Sequence, residues 1–111
     1  MTDKLVVLVT CGSAKEATRI ARALVESRLA ACGNIFQNPV RSIYRWKNKV
    51  ESRKECLLLV KTSRSRFAKL QAAILRLHSY EVPEIIALPI AGGSPEYLAW
   101  LTESIAPRRK K

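Results

Sequence analysis

The chain holds a single histidine, His78, followed closely by Tyr80, Glu81 and Glu84. Imidazole is the commonest protein ligand for copper and zinc, and carboxylates can complete such a site. Glu81 and Glu84 are also the densest local acid in a chain of net charge +11, so a cation meets least repulsion there. The same histidine, with no second one four residues on, equally reads as the polar end of a helix, where a partly positive ring complements the dipole. On that reading the two glutamates are solvated or interface-paired. Cys11, Cys32 and Cys56 could offer soft thiolates to copper(I). Their odd number and lack of CxxC spacing encode neither a disulfide framework nor a zinc cluster within one chain. Cys11 stands just ahead of a helix start, whose dipole lowers a thiol's pKa, and is the best placed of the three for metal or redox chemistry. Cys32 and Cys56 read as small buried hydrophobes. No Ser-His-Asp set, phosphate-cradling glycine loop or HExxH is present in the sequence, which points away from an enzyme.

The elements that must position these residues are legible from periodicity. Leu5 to Val9 is a β-branched-rich apolar run, a strand covered on both faces or central in its sheet. Ser13-Ala14-Lys15-Glu16 matches a capping box. Ala17, Ile20, Ala21, Leu24 and Val25 then form one helical stripe, with Gly33 as a stop. Asn34-Ile35-Phe36 is strand-like, Gln37-Asn38-Pro39 interrupts it, and Val40 to Trp46 resumes. Lys47-Asn48-Lys49 supplies a turn, asparagine tolerating positive φ, and Val50 to Thr62 returns antiparallel. Thr62 or Ser63 caps a second helix with the stripe Phe67, Leu70, Ile74 and Leu77, and Val82-Pro83 argues against its continuing. Glu84 to Ile90 is the last strand, and Ser94-Pro95-Glu96 opens a closing helix with proline at its first position. The order β-α-β-β-α-β plus a terminal helix is the α+β, ferredoxin-like split βαβ arrangement with a long central hairpin.

The 111 residues suffice for one domain, taken as residues 1–106, followed by a basic tail, residues 107–111. The apolar runs are far shorter than the roughly 20 residues of a membrane span, and Met1-Thr2-Asp3-Lys4 leads straight into a strand without a signal-peptide region. No membrane association and a cytosolic location are the expectations. The charge favours anionic partners, and Arg41, Arg45, Lys47, Lys49, Arg53 and Lys54 interleaved with Tyr44 and Trp46 have the composition of a nucleic-acid surface. The RNP1 pattern of an RNA-recognition domain is missing, so a solvated basic face is favoured over nucleic acid.

One length does not fit a monomer. A domain of this size has a diameter of roughly 34 Å, from a radius of gyration near ~13 Å. The strand from Val50 to Thr62, at ~3.3 Å per residue, spans about 43 Å. An overhanging edge offers unpaired backbone groups to a specific partner strand, so a closed homo-oligomer built by hairpin exchange or docking is expected; a bulge near Glu51 or Ser52 folding the tip back is the alternative.

Five blocks, Arg28-Leu29-Ala30-Ala31-Cys32-Gly33-Asn34-Ile35, Ser42-Ile43-Tyr44-Arg45-Trp46, Glu55-Cys56-Leu57-Leu58-Leu59-Val60-Lys61-Thr62, His78-Ser79-Tyr80-Glu81-Val82-Pro83-Glu84-Ile85 and Tyr97-Leu98-Ala99-Trp100-Leu101, resemble in order and spacing the hallmark segments of the CutA (divalent-cation tolerance) family. The resemblance runs from about Leu5 to Leu101. It implies a ferredoxin-like subunit in a PII-like homotrimer whose hairpins extend the sheets of neighbouring subunits, and a cytosolic protein linked to tolerance of copper and other divalent metals. It departs from the family pattern at Ser79, where proline is usual, and at Asn48, where glycine is usual. The thiol that some members carry before the threonine ending the first strand is matched here to Val9, with Cys11 following Thr10. The resemblance also carries Tyr44, Trp46, Lys61 and Glu84 to strands that meet near subunit interfaces. A pocket there would bind a small anion with Lys61 as its charge; interface packing with a snorkelling lysine is the alternative.

The sequence thus predicts a trimeric, non-catalytic tolerance protein binding copper(II) or another divalent ion weakly, through His78 with Cys11, Glu81 or Glu84, and no tightly bound cofactor. A PII-like module binding a small anion or signalling ligand between subunits through Lys61, Tyr44 and Trp46 is the second reading.

Overall fold

A computed structural model that describes residues 2–108 shows eight elements, one more than the predicted seven because residues 36–39 divide the first arm of the hairpin into two strands. The eight are β1 (Lys4–Cys11), α1 (Ala14–Glu26), β2 (Cys32–Ile35), β3 (Val40–Trp46), β4 (Lys49–Ser63), α2 (Arg64–Leu77), β5 (Ile85–Pro89) and α3 (Pro95–Ser104). Of the basic tail, Arg109 to Lys111 lie outside the described residues. The result is a mixed α+β fold in which an antiparallel sheet of order β2-β4-β1-β5 carries three helices, with β3 pairing the outer half of β4.

Period-2 alternation sorts the sheet into two faces. Leu5, Val7, Val9 and Cys11 of β1 and Cys56, Leu58 and Val60 of β4 enter one core with Ala17, Ile20, Ala21 and Leu24 of α1 and Leu70, Ala73 and Ile74 of α2. The intervening residues face the other way. The register sets Leu8 between Leu59 and Ile86, and Val6 beside Leu88. Ile86 and Leu88 remain 46% and 47% exposed, so an apolar strip on the sheet face turned away from the core is left open in the single chain.

The hairpin overhangs as its length requires. β4 runs for 15 residues. At ~3.3 Å each this is about 50 Å, and the long axis of the molecule is 50 Å against 31 and 24 Å for the others. Only Cys56 to Ser63 pair with β1; Lys49 to Glu55 pair with β3 alone, and Lys49, Val50, Ser52, Arg53 and Lys54 are exposed. No bulge interrupts the β3–β4 register, so the tip stays extended. Lys47 and Asn48 turn the chain with φ of 49° and 66°, the paired positive values of a type I′ hairpin turn.

Local departures have local causes. Ser13 caps α1 by accepting the Glu16 N–H at 3.1 Å, but the Glu16 carboxylate turns away from the cap to other partners. The helix stops at Glu26, well before Gly33, because Arg28 takes the left-handed conformation, φ 63°, and the Leu29 and Ala30 amides bond back to the Leu24 carbonyl. Val25, next to that stop, is 39% exposed. The Arg28 guanidinium donates to the carbonyls of Glu103, Ser104 and Ala106, and Arg66 donates to that of Ile105; together they satisfy the C-terminal end of α3. Gly33 has a different duty within β2: a Cβ there would lie 2.8 Å from the Ala21 Cβ. It is the close approach of α1 to β2 that demands glycine. Gly33→Ala is expected to lower stability by about 2 kcal/mol, read as a reduced denaturant midpoint with an unchanged slope.

Candidate metal cluster and the adjoining cleft

Where β1 ends and α1 begins, Cys11, Glu16 and His78 converge from three elements. Cys11 is the last residue of β1, Glu16 sits in the first turn of α1, and His78 caps the C-terminus of α2, its N–H donating to the Ile74 carbonyl. One ligand atom from each residue lies within 4.8 Å of the others, and all three residues are buried. Thiol, carboxylate and imidazole form a mixed donor set suited to a borderline or soft ion such as zinc or copper.

Two of the three donors, the imidazole and the carboxylate, are already engaged. The His78 Nδ1 accepts the Tyr80 N–H at 3.0 Å, which leaves Nε2 as the protonated nitrogen donating to the Thr10 carbonyl at 2.8 Å. The Glu16 Oε1 accepts the Gly12 N–H at 3.0 Å and its Oε2 the Ser79 N–H at 2.8 Å. Burial opposes the charge on Glu16, yet the hydrogen bonds from Ser79 and Gly12 outweigh it and hold the carboxyl below the ordinary range. A carboxylate keeps further lone pairs after accepting two amides, whereas Nδ1 has one. The set fits a metal at the cost of the bond from Tyr80. The expectation of an acidic Cys11 fails: burial first, and the nearby Glu16 charge second, push its thiol up to about 12, so helix-dipole assistance is overridden by desolvation.

Glu81 and Glu84 do not join this cluster; among the described residues Cys11, Glu16 and His78 alone bring three such ligands together. The two glutamates line a separate cleft of about 720 Å³, between one face of the hairpin and the loop after α2, together with Tyr44, Trp46, Arg53 and Tyr80. The Tyr80 hydroxyl donates to Glu55 at 2.7 Å, Arg53 lies 5.3 Å from the Tyr80 ring centre, and the Tyr80 ring stands 4.6 Å from that of His78. Tyr80 thus separates cleft from cluster. Lys61 is elsewhere, paired with Val6 and Cys32 and bonded to the Asn34 side chain. Tyr44 pairs with Glu51, ten residues down the strand and roughly 33 Å away, so Lys61, Tyr44 and Trp46 form no common site within one chain. Arg53 and Lys47 are the cations of the cleft instead.

Glu16 and Glu55 are the residues that sequence reading passed over. Glu16 sits inside a capping box, which accounts for it fully in sequence. Glu55 shows a signal, a carboxylate beside the apolar run of a central strand, which in a buried setting requires a donor such as Tyr80.

Residues 5–104 match the model of the CutA1 divalent ion tolerance protein family. The chain is 54% identical over 99 residues to the divalent-cation tolerance protein CutA of Thermus thermophilus, covering 89% of this chain and 95% of that one. It is 46% identical to protein CutA of Mus musculus over 88% of this chain, and spans just over half, 56%, of that longer protein. Its fold is similar to the solved divalent cation tolerance protein of T. thermophilus, with a TM-score of 0.89 at 52% identity over 93% of this chain and 99% of the other. The chain belongs to the CutA1 family.

The buried Glu16 carboxylate has a consequence in acid. Its folded pKa lies below the unfolded value of about 4.3, so its contribution is complete above that value and is lost as pH falls through the folded pKa. Glu16→Gln strands one amide donor and is expected to cost about 1–3 kcal/mol at neutral pH. Denaturant unfolding across the acid range should give a flatter pH profile for the variant than for the parent.

Proposed function

We propose that this member of the CutA1 family acts as a homotrimeric, non-catalytic divalent-cation tolerance protein of the cytosol, binding copper or a related divalent ion weakly through Cys11, His78 and Glu16. The observation that carries the metal reading is the convergence of thiol, imidazole and carboxylate within 4.8 Å in a chain of net charge +11. Glu81 and Glu84, next to the cluster along the chain, supply an acidic approach rather than ligands. The relatives whose names speak of divalent-cation tolerance support the same direction.

Weak affinity follows from the engaged donors. A bound ion takes the Nδ1 lone pair from the Tyr80 N–H and requires the Cys11 proton to leave a thiol whose pKa is about 12. Metal uptake is therefore coupled to proton release and strengthens with rising pH.

The trimer and the ferredoxin-like topology rest on the strand order β2-β4-β1-β5, the 50 Å long axis, and the open strip of Leu8, Leu57, Leu59, Ile86 and Leu88. Exposed apolar strips of this kind mark association surfaces. Light scattering should return three times 12.5 kDa, and Ile86→Glu with Leu88→Glu should shift the protein toward monomer; a monomeric parent would sink the assembly.

Calorimetric titration of the metal-free protein with copper(II) near pH 7 tests the site. Saturable binding is expected in the parent, with loss of at least about tenfold in affinity, a difference of about 1.4 kcal/mol, in Cys11→Ser and His78→Ala variants that retain the parent circular dichroism. Equilibrium dialysis without retained copper would end the direct-binding reading.

The second reading, a PII-like ligand-binding module, has its own observation in the 720 Å³ cleft, where Tyr44, Trp46 and Tyr80 stand with Arg53 and Lys47. Saturable binding of a small anion lost in Arg53→Ala would favour it.

A further inference from the structure

Besides serving the cluster, Cys11 has a second thiol directly across from it. Cys11 and Cys56 are the last register pair of the β1–β4 ladder. Both side chains enter the same core and both cysteines are free. The Asp3 carbonyl accepts the Arg64 N–H one rung outside the other end of the ladder. Hydrogen-bonded pairs alternate along an antiparallel ladder, so the odd residues of β1, Cys11 among them, sit in hydrogen-bonded pairs with β4. The Cα atoms of such a pair are about 5.5 Å apart, within the roughly 4.4–6.8 Å window of disulfides. Cys32, by contrast, pairs with Lys61 and approaches Tyr97, on the opposite face of the sheet. The fold thus selects one dithiol from three cysteines.

We propose that Cys11 and Cys56 are a cross-strand dithiol that closes to a disulfide with copper(II) as the oxidant. The inference rests on the copper reading above for the delivery of the ion. Two copper(II) ions each accept one electron. The two thiols lose two protons to solvent, their S–H bonds break, and one S–S bond forms, leaving two copper(I) ions. Three features favour this outcome. Cys11 Sγ is within 4.8 Å of the Glu16 and His78 donors, so an ion held there is adjacent to the reacting sulfur. The pair is the terminal rung, with no further β1–β4 pair beyond it that closure would have to distort. The Cys56 thiol makes a single weak bond, to the Phe36 carbonyl at 3.3 Å, which closure gives up at little cost. Once closed, the disulfide withdraws Cys11 from the cluster, so the oxidised protein holds copper less well than the reduced one.

The test uses the reduced, metal-free protein carrying Cys32→Ser, so that Cys11 and Cys56 are its only thiols. Anaerobic addition of copper(II) with a copper(I)-selective chelator present is expected to yield two copper(I) per chain, a mass lower by two hydrogens, and a Cys11–Cys56 cross-link in the unreduced peptide map. Adding Cys56→Val should abolish the cross-link and the paired copper(I) yield. Diamide, a two-electron oxidant that needs no metal site, is expected to form the same cross-link. Absence of the cross-link with both oxidants overturns the dithiol. Closure by diamide with no copper(I) from copper(II) overturns copper as the oxidant. In that case equilibrium dialysis separates the causes: retained copper(II) leaves the metal reading standing, and no retained copper means that this reading has failed as well.

Discussion

The register of β4 against β1 is the constraint on which the rest of this structure depends. Eight pairs, from Lys4–Ser63 to Cys11–Cys56, lock half of a 15-residue strand into the body and leave the other half to project. A slip of one residue would exchange Leu58 and Val60 for Leu57 and Leu59 in the core and turn every side chain of the strand over. Because Val7, Val9, Leu58 and Val60 fill the space beneath α1 and α2, that slip is strongly opposed. The same parity decides which residues remain on the open face and sets the two cysteines opposite one another.

A second constraint closes the end of the sheet where the candidate site lies. The buried carboxylate of Glu16 takes one amide from the β1–α1 turn and another from the loop after α2, so a single side chain ties both crossings together. Desolvating a carboxylate is tolerable only with such donors, and an apolar replacement would leave both amides searching for partners. His78 closes the same corner from the other side through the Thr10 carbonyl and the Tyr80 amide. The corner is rigid for reasons of backbone satisfaction, independently of any ion.

How much of this was legible in sequence depended on whether the signal was local. The stripes of α1, apart from its exposed last member Val25, and of α2, the Ser13 cap, the proline that opens α3, the break at Pro39 and the Lys47-Asn48 turn all express short-range rules, and they stand where those rules put them. The overhang was legible too, because chain length against domain diameter is a global argument needing no contacts. The end of α1 was not, since a left-handed arginine at position 28 carries no glycine-like mark and Gly33 drew attention for a reason that turned out to be packing on Ala21. Nor was the separation of His78 from Glu81 and Glu84. Nearness along the chain suggested a shared site, but the loop after α2 turns between them, and the carboxylate that meets His78 comes from another helix. Within one chain Tyr44 and Trp46 share the cleft while Lys61 stands apart from them, because residues on paired strands are neighbours only in register.

Charge and hydrogen bonding together shape what the corner can do with a cation. Six of the basic residues, Arg41, Arg45, Lys47, Lys49, Arg53 and Lys54, ride on the projecting hairpin, while Glu81 and Glu84 stand across the cleft from one of its faces. A cation approaching along the hairpin is repelled, and the attraction of Glu81 and Glu84 is offset by Arg53 and Lys47 in the same cleft, within a screening distance of about 8 Å at physiological ionic strength. Tyr80 stands between that cleft and the cluster, its hydroxyl held by Glu55 and its ring beside His78. Its backbone amide occupies the same imidazole nitrogen that a metal would use. One residue therefore covers the donors and competes for them, so entry of an ion and release of the Tyr80 amide are a single event.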